Sequence, residues 1–505
     1  MESTKNPQKI LLVGTERNCR SIGYVLDFEN YELIEKLTTE NYAQYQDYQI
    51  YVCELKRKSK KLVDKKLYKF ANKIQYLDDI CRLVDEKCTA IQCYQKTLKP
   101  VKHEKHKIFK VWSQFIAAYN ARHYHYQKID KYYREFLLNL TPSELLLYVL
   151  NAPVNSHVRC SNIETTVMIK TSGNMESCGC FISFGNLIQD GEIADIYNSI
   201  YARIVKLSSL NNSYCLCDVL NKACKGYSVN TNNDEPKQFK TEQIPNKFLI
   251  GIDATCNLCC KSCRSKPRVM KEDAKNNAEL MTQKILRSGW LTEVGSCIMA
   301  CNGEVFYSPY YRKLLTENFS KQCKSIDIMS NGILFNETNW KLLSKNYSQI
   351  HAVSISVDAA TAETYEDLRV GGKWNILLKN LNMLSELHRQ KKFEWFQLNF
   401  VVQRANLLEM CDFVRLGQKL GVNKVNFQNM HKPYFLTKNE FKKNCLVINH
   451  KYLDYELWKV LQDPIFNDPI VDLKGLQRYI DASEKKYRKR YEREQRAKQN
   501  KEKRA

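Results

Sequence analysis

Three cysteines define the chemistry this chain has to explain. Within residues 251–264, GIDATCNLCCKSCR, Cys256, Cys260 and Cys263 stand at C-x3-C-x2-C spacing directly after a strand-like run at 247–254. Cysteine thiolates are the usual protein ligands of iron in iron–sulfur clusters. Three of them on one short loop hold three irons of a cubane and leave the fourth iron open. Cysteine makes up 20 of the 505 residues. At that frequency chance produces this spacing roughly 0.03 times in a chain of this length, so the loop asks for a functional reading. Cys259 falls off the ligand spacing and reads as a bystander.

A second cysteine block lies upstream. Cys160, Gly173 and Cys178 fit C-x12-G-x4-C, the segment GNLIQDGEIADIYNSIYARIVKL follows, and Cys215, Cys217 and Cys224 then stand at C-x-C-x6-C. With Cys180 this makes six thiols, enough for one four-thiolate site and too few for two cubanes ligated only by protein. Structural zinc uses the same thiolate set, so iron–sulfur and zinc readings both stand at this block.

The elements that must position these residues can be read from periodicity. Strand-like runs at 248–254, 296–300, 325–329, 351–357, 395–402 and 424–427 alternate with amphipathic helices, which predicts six β/α units forming a parallel sheet curved into a partial barrel. Active sites of such sheets lie at the C-terminal strand ends. Those ends carry Asn302, Gly303 and Glu304, then Ser330, Asn331 and Gly332, then Ser356 and Asp358, followed by Arg369, Asn406 and Gln428. Cys297 reads as a small buried hydrophobe, as does Cys301 beyond the second strand, and Cys445 stands alone.

Upstream, apolar runs at 9–13, 31–37 and 49–53 and a turn and helix at 76–85 predict a small Rossmann-like α/β domain over 1–92. Its first turn, GTERNCRSIG at 14–23, lacks the G-x-G-x-x-G dinucleotide fingerprint. Residues 93–150 read as a helical connector with Thr141 capping a helix that starts at Pro142. His123 and His125, two apart, fall on different sides of a helix and do not share a metal. The remaining expected divisions are the Cys-rich module at 151–228, a linker at 229–246, the core at 247–432, helices at 433–480 and a basic tail at 481–505.

The C-x3-C-x2-C loop after a first strand, with Asn257 and Leu258 behind the first Cys, resembles the signature loop of the radical S-adenosylmethionine (SAM) enzymes. The upstream block resembles the SPASM module of that superfamily, here placed before the core, and its C-x-C-x6-C group is shorter than the family's. The resemblance implies a 4Fe-4S cluster whose open iron binds SAM, and reductive cleavage of SAM to a 5'-deoxyadenosyl radical that abstracts hydrogen from substrate. It further implies one auxiliary cluster at Cys160, Cys178, Cys215, Cys217 and Cys224. Asn302, Gly303 and Glu304 stand in place of the family's G-G-E segment, which meets the SAM ammonium; Asn replaces the first Gly and Val305 the usual following Pro. Asn331 is similar to the Asn of the family's T-N-G. Ser356 and Asp358 lie where polar residues face the SAM ribose, and Arg369 matches an arginine that pairs with the SAM carboxylate, a geometry suited to guanidinium. Ser262 stands where many members have an aromatic.

What the resemblance implies about substrate is a peptide, protein side chain or sugar, with an electron donor such as flavodoxin or ferredoxin. The net charge of +23 is compatible with an RNA-modifying enzyme, the alternative within this class; nucleic acid is not favoured, because the Lys-, Asn-, Tyr- and Ile-rich composition explains the charge. A non-catalytic metal-binding scaffold is the alternative outside it. No apolar run reaches the roughly 18 residues of a membrane span and the N-terminus lacks a signal-peptide pattern, so a cytoplasmic enzyme is expected.

Overall fold

The structure, a computed structural model, describes residues 9–54, 61–88, 140–152, 158–159, 165–177, 183–216, 228–229, 244–266, 270–299, 302–317, 319, 323, 325–432, 435–449 and 451–502. The chain divides into two compact units. The first comprises Met1–Val167, Gly173–Leu220 and Gly226–Ile244; the second comprises Met168–Ser172, Asn221–Lys225 and Pro245–Ala505.

The first unit opens with a four-stranded parallel sheet in the order Glu32–Ile34, Ile10–Val13, Gln49–Val52, Ile74–Tyr76. Leu11, Val13, Ile50, Val52 and Ile74 are buried in one cluster, which is why such short apolar runs suffice as strands. The strand expected at 31–37 is shorter than predicted. Ile74–Tyr76, a strand not expected from the sequence, pairs in register with Ile50–Val52 and leads at once into the helix Leu77–Cys88. At the turn after the first strand, Glu54 accepts from the Thr15 N–H at 3.2 Å and the Thr15 hydroxyl at 2.8 Å. A helix N-terminus favours an anion, and here the chain's own carboxylate takes that position.

The helix Pro142–Asn151 carries the expected cap as a full capping box between Thr141 and Glu144, worth about 1 kcal/mol. Residues 91–139, with His123 and His125, lie outside the described residues. Val158–Arg159 pairs antiparallel with Ser228–Val229, so the two ends of the Cys-rich block meet. Inside the block Asn174–Glu176 and Ser183–Asn186 form a hairpin. Gly173 has φ +85, and a Cβ there would lie 2.5 Å from Asn186 Oδ1, which accounts for both the motif glycine and the GN segment. The helix Ile200–Leu210 is buried from Ala202 onward, packed on the helices Glu16–Leu26, Leu77–Cys88 and Pro142–Asn151. Its two cations are accommodated by partners: Arg203 pairs with Asp27 at 2.8 Å and Lys206 donates to Tyr197 O at 2.8 Å.

The second unit is built on seven parallel strands, each hydrogen-bonded to the next in chain order: Lys247–Gly251, Ser296–Met299, Ser325–Ser330, Ile350–Ser356, Trp395–Val402, Lys424–Asn429 and the short Val471–Asp472. Helices follow the strands as period-3.6 patterning predicts. Residues alternate across a strand, so Phe396, Leu398, Phe400 and Val402 are buried together. The opposite face carries Gln397, Asn399 and Asn426, linked through Asn399 Oδ1 at 2.7 and 2.9 Å. The first strand ends at Gly251, earlier than expected, because Asp253 gives its backbone to Tyr311 and its side chain to Thr255.

Past the sixth strand the chain holds a hairpin, Val447–Ile448 with Tyr452–Leu453, in addition to the expected helices. The last helix, Gln477–Glu502, starts before the expected tail at 481. Residues four apart share a helix face: Tyr479, Ser483 and Tyr487 are buried, and the last two bond the backbone of Leu453. Among the described residues no helix is long and apolar enough to cross a membrane.

Candidate active site at the core strand ends

The cysteine loop leaves the first core strand through a hydrogen-bonded turn. Asp253, fully buried, accepts from the Thr255 N–H at 2.7 Å and the Thr255 hydroxyl at 2.8 Å, the Asx-type arrangement that Asp adopts before a turn. Arg264 closes the loop by donating to Ala254 O at 3.0 Å. On its far side the loop lies along the segment after the fourth strand: Cys259 N–H donates to Val370 O at 2.8 Å and Lys261 N–H to Leu368 O at 2.9 Å.

Each motif sulfur receives an N–H donor. Cys256 Sγ accepts from Leu258 N at 3.4 Å and Asn331 Nδ2 at 3.5 Å, Cys260 Sγ from Arg369 Nη1 at 3.6 Å, and Cys263 Sγ from Arg264 Nη2 at 3.5 Å. The Cys256 thiol also donates, to Asn257 Oδ1 at 4.0 Å, and the Cys259 thiol donates to Arg264 O at 3.5 Å. Sulfurs that accept hydrogen bonds are prepared for the thiolate form, the form that binds metal. Burial pushes the Cys260 thiol up to about 11, with the Arg369 charge opposing, and burial likewise raises Cys256; a coordinating metal deprotonates such a thiol outright. Among the described residues no three His, Cys, Asp or Glu side chains converge as ligands of a single metal ion. A cubane instead requires one thiolate for each of three separate irons. Beside Cys260, Arg369 Nε and the Tyr365 hydroxyl are buried donors with no protein partner. The donor set and these orphaned groups fit a 4Fe-4S cluster.

The residues after the second strand lock onto this loop. Gly303 has φ +77, and a Cβ there would lie 2.5 Å from Asp253 O and 2.8 Å from Thr255 O, so only glycine passes. Glu304 N–H donates to Thr255 O at 2.8 Å. Its buried carboxylate accepts from the Ser330 hydroxyl and the Asn331 N–H, both at 2.7 Å; burial raises its pKa, the two donors opposing. Asn331 passes the contact on, its amide donating to Asn257 Oδ1 at 2.9 Å. Asn302 is exposed and bonds its own loop.

At the fourth strand end, Ser356 is partly exposed while Asp358 is buried, in left-handed backbone with φ +65. Asp358 Oδ1 accepts from Val401 N at 2.7 Å, and Oδ2 pairs with Arg369 Nη2 at 2.6 Å. Asn406 is buried and donates to Asp358 O at 2.8 Å; Gln428 is exposed at the sixth strand end. The predicted residues Glu304, Ser330 and Asn331 thus bond one another and the cysteine loop, and Asp358, Arg369 and Asn406 do the same; Ser356 makes none of these bonds.

Sequence reading passed over Asp253, Thr255 and Tyr311. The D-x-T spacing before the first Cys is a turn signal that could have been read; Tyr311 looked like any aromatic on a helix. Of the upstream thiols, Cys160, Cys178, Cys180, Cys217 and Cys224 lie outside the described residues. Cys215 is buried, accepts from the Ser213 hydroxyl at 3.4 Å, and is pushed by burial up to about 12.

No protein-family profile matches the chain. AlbA of Bacillus subtilis (strain 168), an antilisterial bacteriocin subtilosin biosynthesis protein, is 25% identical over 219 residues, 42% of this chain and 46% of that protein. A probable GTP 3',8-cyclase of Saccharolobus islandicus is 25% identical over 121 residues, 24% of this chain and 37% of its own. The chain spans less than half the length of these curated relatives. Among solved structures, Streptococcus suis SuiB bound to S-adenosylmethionine aligns over 44% of this chain and 48% of that one at 17% identity, with a TM-score of 0.32. In its cysteine loop, its ordered strand-end residues and these partial sequence matches, the chain is similar to the radical SAM enzymes, whose cofactors are a 4Fe-4S cluster and S-adenosylmethionine.

Proposed function

We propose that the chain is a cytoplasmic radical SAM enzyme acting on a peptide, with its core sheet curved as a partial barrel around the substrate. The observation carrying this reading is that Cys256, Cys260 and Cys263, on one short loop, each accept an N–H donor. The cluster, when bound with SAM and reduced by a donor such as flavodoxin or ferredoxin, supplies a 5'-deoxyadenosyl radical for hydrogen abstraction. Cys256, Cys260 and Cys263 hold three irons. Glu304, Asn302 and the backbone at Gly303 take the SAM ammonium; Glu304 accepts from Ser330, Asn331 and the Phe306 N–H, and a carboxylate accepts about four hydrogen bonds. Asn331 orients the first cysteine, and Ser356 lies open at the strand end to meet the ribose.

A peptide is favoured because the longer match is to a bacteriocin biosynthesis protein, 219 residues against 121. The Gln397, Asn399 and Asn426 amides suit a hydrogen-bonding substrate. Cys215 with Cys160, Cys178, Cys217 and Cys224 holds one auxiliary cluster.

Iron and sulfide counting after anaerobic reconstitution tests the cluster assignment. About eight irons in the intact chain and about four in a Cys256, Cys260 and Cys263 triple-alanine variant are expected, as two cubanes require. About four falling to none would remove the auxiliary cluster, and no iron at all would refute the reading.

A further inference from the structure

Arg369 is one of the most deeply placed charges of the core, with 8% of its surface exposed, and Asp358 has 1%. The pair is 2.6 Å apart. Burying two charges is costly unless hydrogen bonds satisfy the remaining valences, and Asp358 is satisfied: Oδ1 accepts from Val401 N, Oδ2 from Arg369. Asn406 fixes the Asp358 backbone in its left-handed conformation through the 2.8 Å bond to Asp358 O. The guanidinium's other arm, Nη1, reaches Cys260 Sγ at 3.6 Å. A chain of fixed contacts therefore runs from the fifth strand, through Asp358 and Arg369, to the second motif sulfur.

Both arms of the guanidinium are engaged within the chain, Nη2 by Asp358 and Nη1 by Cys260, which leaves Nε. The resemblance would give Arg369 to SAM; the geometry gives it to the chain's own cysteine. We infer that Arg369 is a positioning residue for the cluster: it holds Cys260 by an N–H···S bond and sets the cluster's reduction potential, with Asp358 balancing its charge. This rests on the assignment of Cys256, Cys260 and Cys263 as cluster ligands. One-electron reduction makes the cluster more negative, so a nearby cation favours the reduced state and a nearby anion opposes it. Hydrogen bonds to cluster sulfurs and net charge are among the determinants of iron–sulfur potential.

The test is a dithionite titration with low-potential mediators of the full chain, anaerobically reconstituted and without SAM, followed by electron paramagnetic resonance of the reduced cluster. To isolate one signal, the measurement is made on Cys215→Ala with its iron counted, and then on Arg369→Gln, Arg369→Lys and Asp358→Asn in that background. At equal iron content Arg369→Gln should move the midpoint to more negative potential and Asp358→Asn to more positive potential. Arg369→Lys, which keeps the charge and loses the fork, should fall nearer the parent than Arg369→Gln. A structural role alone would move both variants the same way or lower their iron content together. The inference is overturned if the SAM-free midpoints and spectra are unchanged and only SAM affinity falls in Arg369→Gln. If the parent takes up no iron, the cluster assignment fails and this inference with it.

Discussion

The hydroxyl of Tyr311 lies 2.9 Å from Asp253 O and 2.8 Å from Asn302 O and also receives the Asp253 N–H at 3.1 Å. One phenol on the helix Pro309–Thr316 thus ties the end of the first core strand to the loop after the second. The cysteine loop and the Gly303–Glu304 backbone are held in fixed register by that knot. Tyr311→Phe keeps the packing and removes the knot. It should cost about 1–3 kcal/mol, the penalty for leaving buried backbone groups unsatisfied, and should weaken SAM binding while iron is retained. Urea unfolding and SAM titration check the two effects separately.

Gly303 offers a sharper perturbation. Gly303→Ala must place its Cβ against Asp253 O and Thr255 O in left-handed backbone. The backbone conformation alone costs about 1–2 kcal/mol, and the overlap adds to it. The variant should lose SAM binding before it loses its fold. Circular dichroism beside SAM titration measures this, and unchanged affinity would contradict the close fit of the two loops.

Glu304 should show in both binding and pH dependence. Glu304→Gln is expected to weaken SAM binding at least about tenfold, since a hydrogen bond to a charged group is worth about 1.5–3 kcal/mol. Burial raises the Glu304 carboxyl above its ordinary 4.5. The folded state then holds a proton that the unfolded state releases, so the group's contribution is full below the ordinary value and is lost as pH rises through the raised one. Glutamine carries no such loss. The stability of the cluster-free variant should therefore decline less than that of the parent as pH rises above the ordinary carboxyl value.

Cys259→Ser should leave the iron content of the reconstituted protein unchanged, because Cys259 donates to Arg264 O and accepts no N–H bond of the kind made to the motif sulfurs. Loss of iron equal to that in Cys260→Ala would contradict the ligand assignment.

The core was legible because buried parallel strands announce themselves as short apolar runs followed by Gly, Asn and Ser turns. Hence Gly303, Asn331 and Asp358 were placed at strand ends from sequence. Their partners were not legible. The Asp358–Arg369 pair joins a left-handed residue to the residue after a helix end eleven positions on, and nothing local predicts it. Tyr311 was hidden for another reason: a single hydroxyl separates it from a packing aromatic. In the first unit, Ile74–Tyr76 was too short for its period to show, and only its neighbour Gln49–Val52 makes it a strand. The last helix begins at Gln477 because Ser483 and Tyr487 dock on Leu453, a tertiary contact concealed by a strongly charged stretch.

The central claim is that Cys256, Cys260 and Cys263 hold a cluster that cleaves SAM. Its most direct test is 5'-deoxyadenosine formation by the anaerobically reconstituted full chain with SAM and dithionite, beside the triple-alanine variant. The intact chain should form 5'-deoxyadenosine and the variant none. Iron-loaded intact protein that forms no 5'-deoxyadenosine, or equal amounts from both proteins, would contradict it.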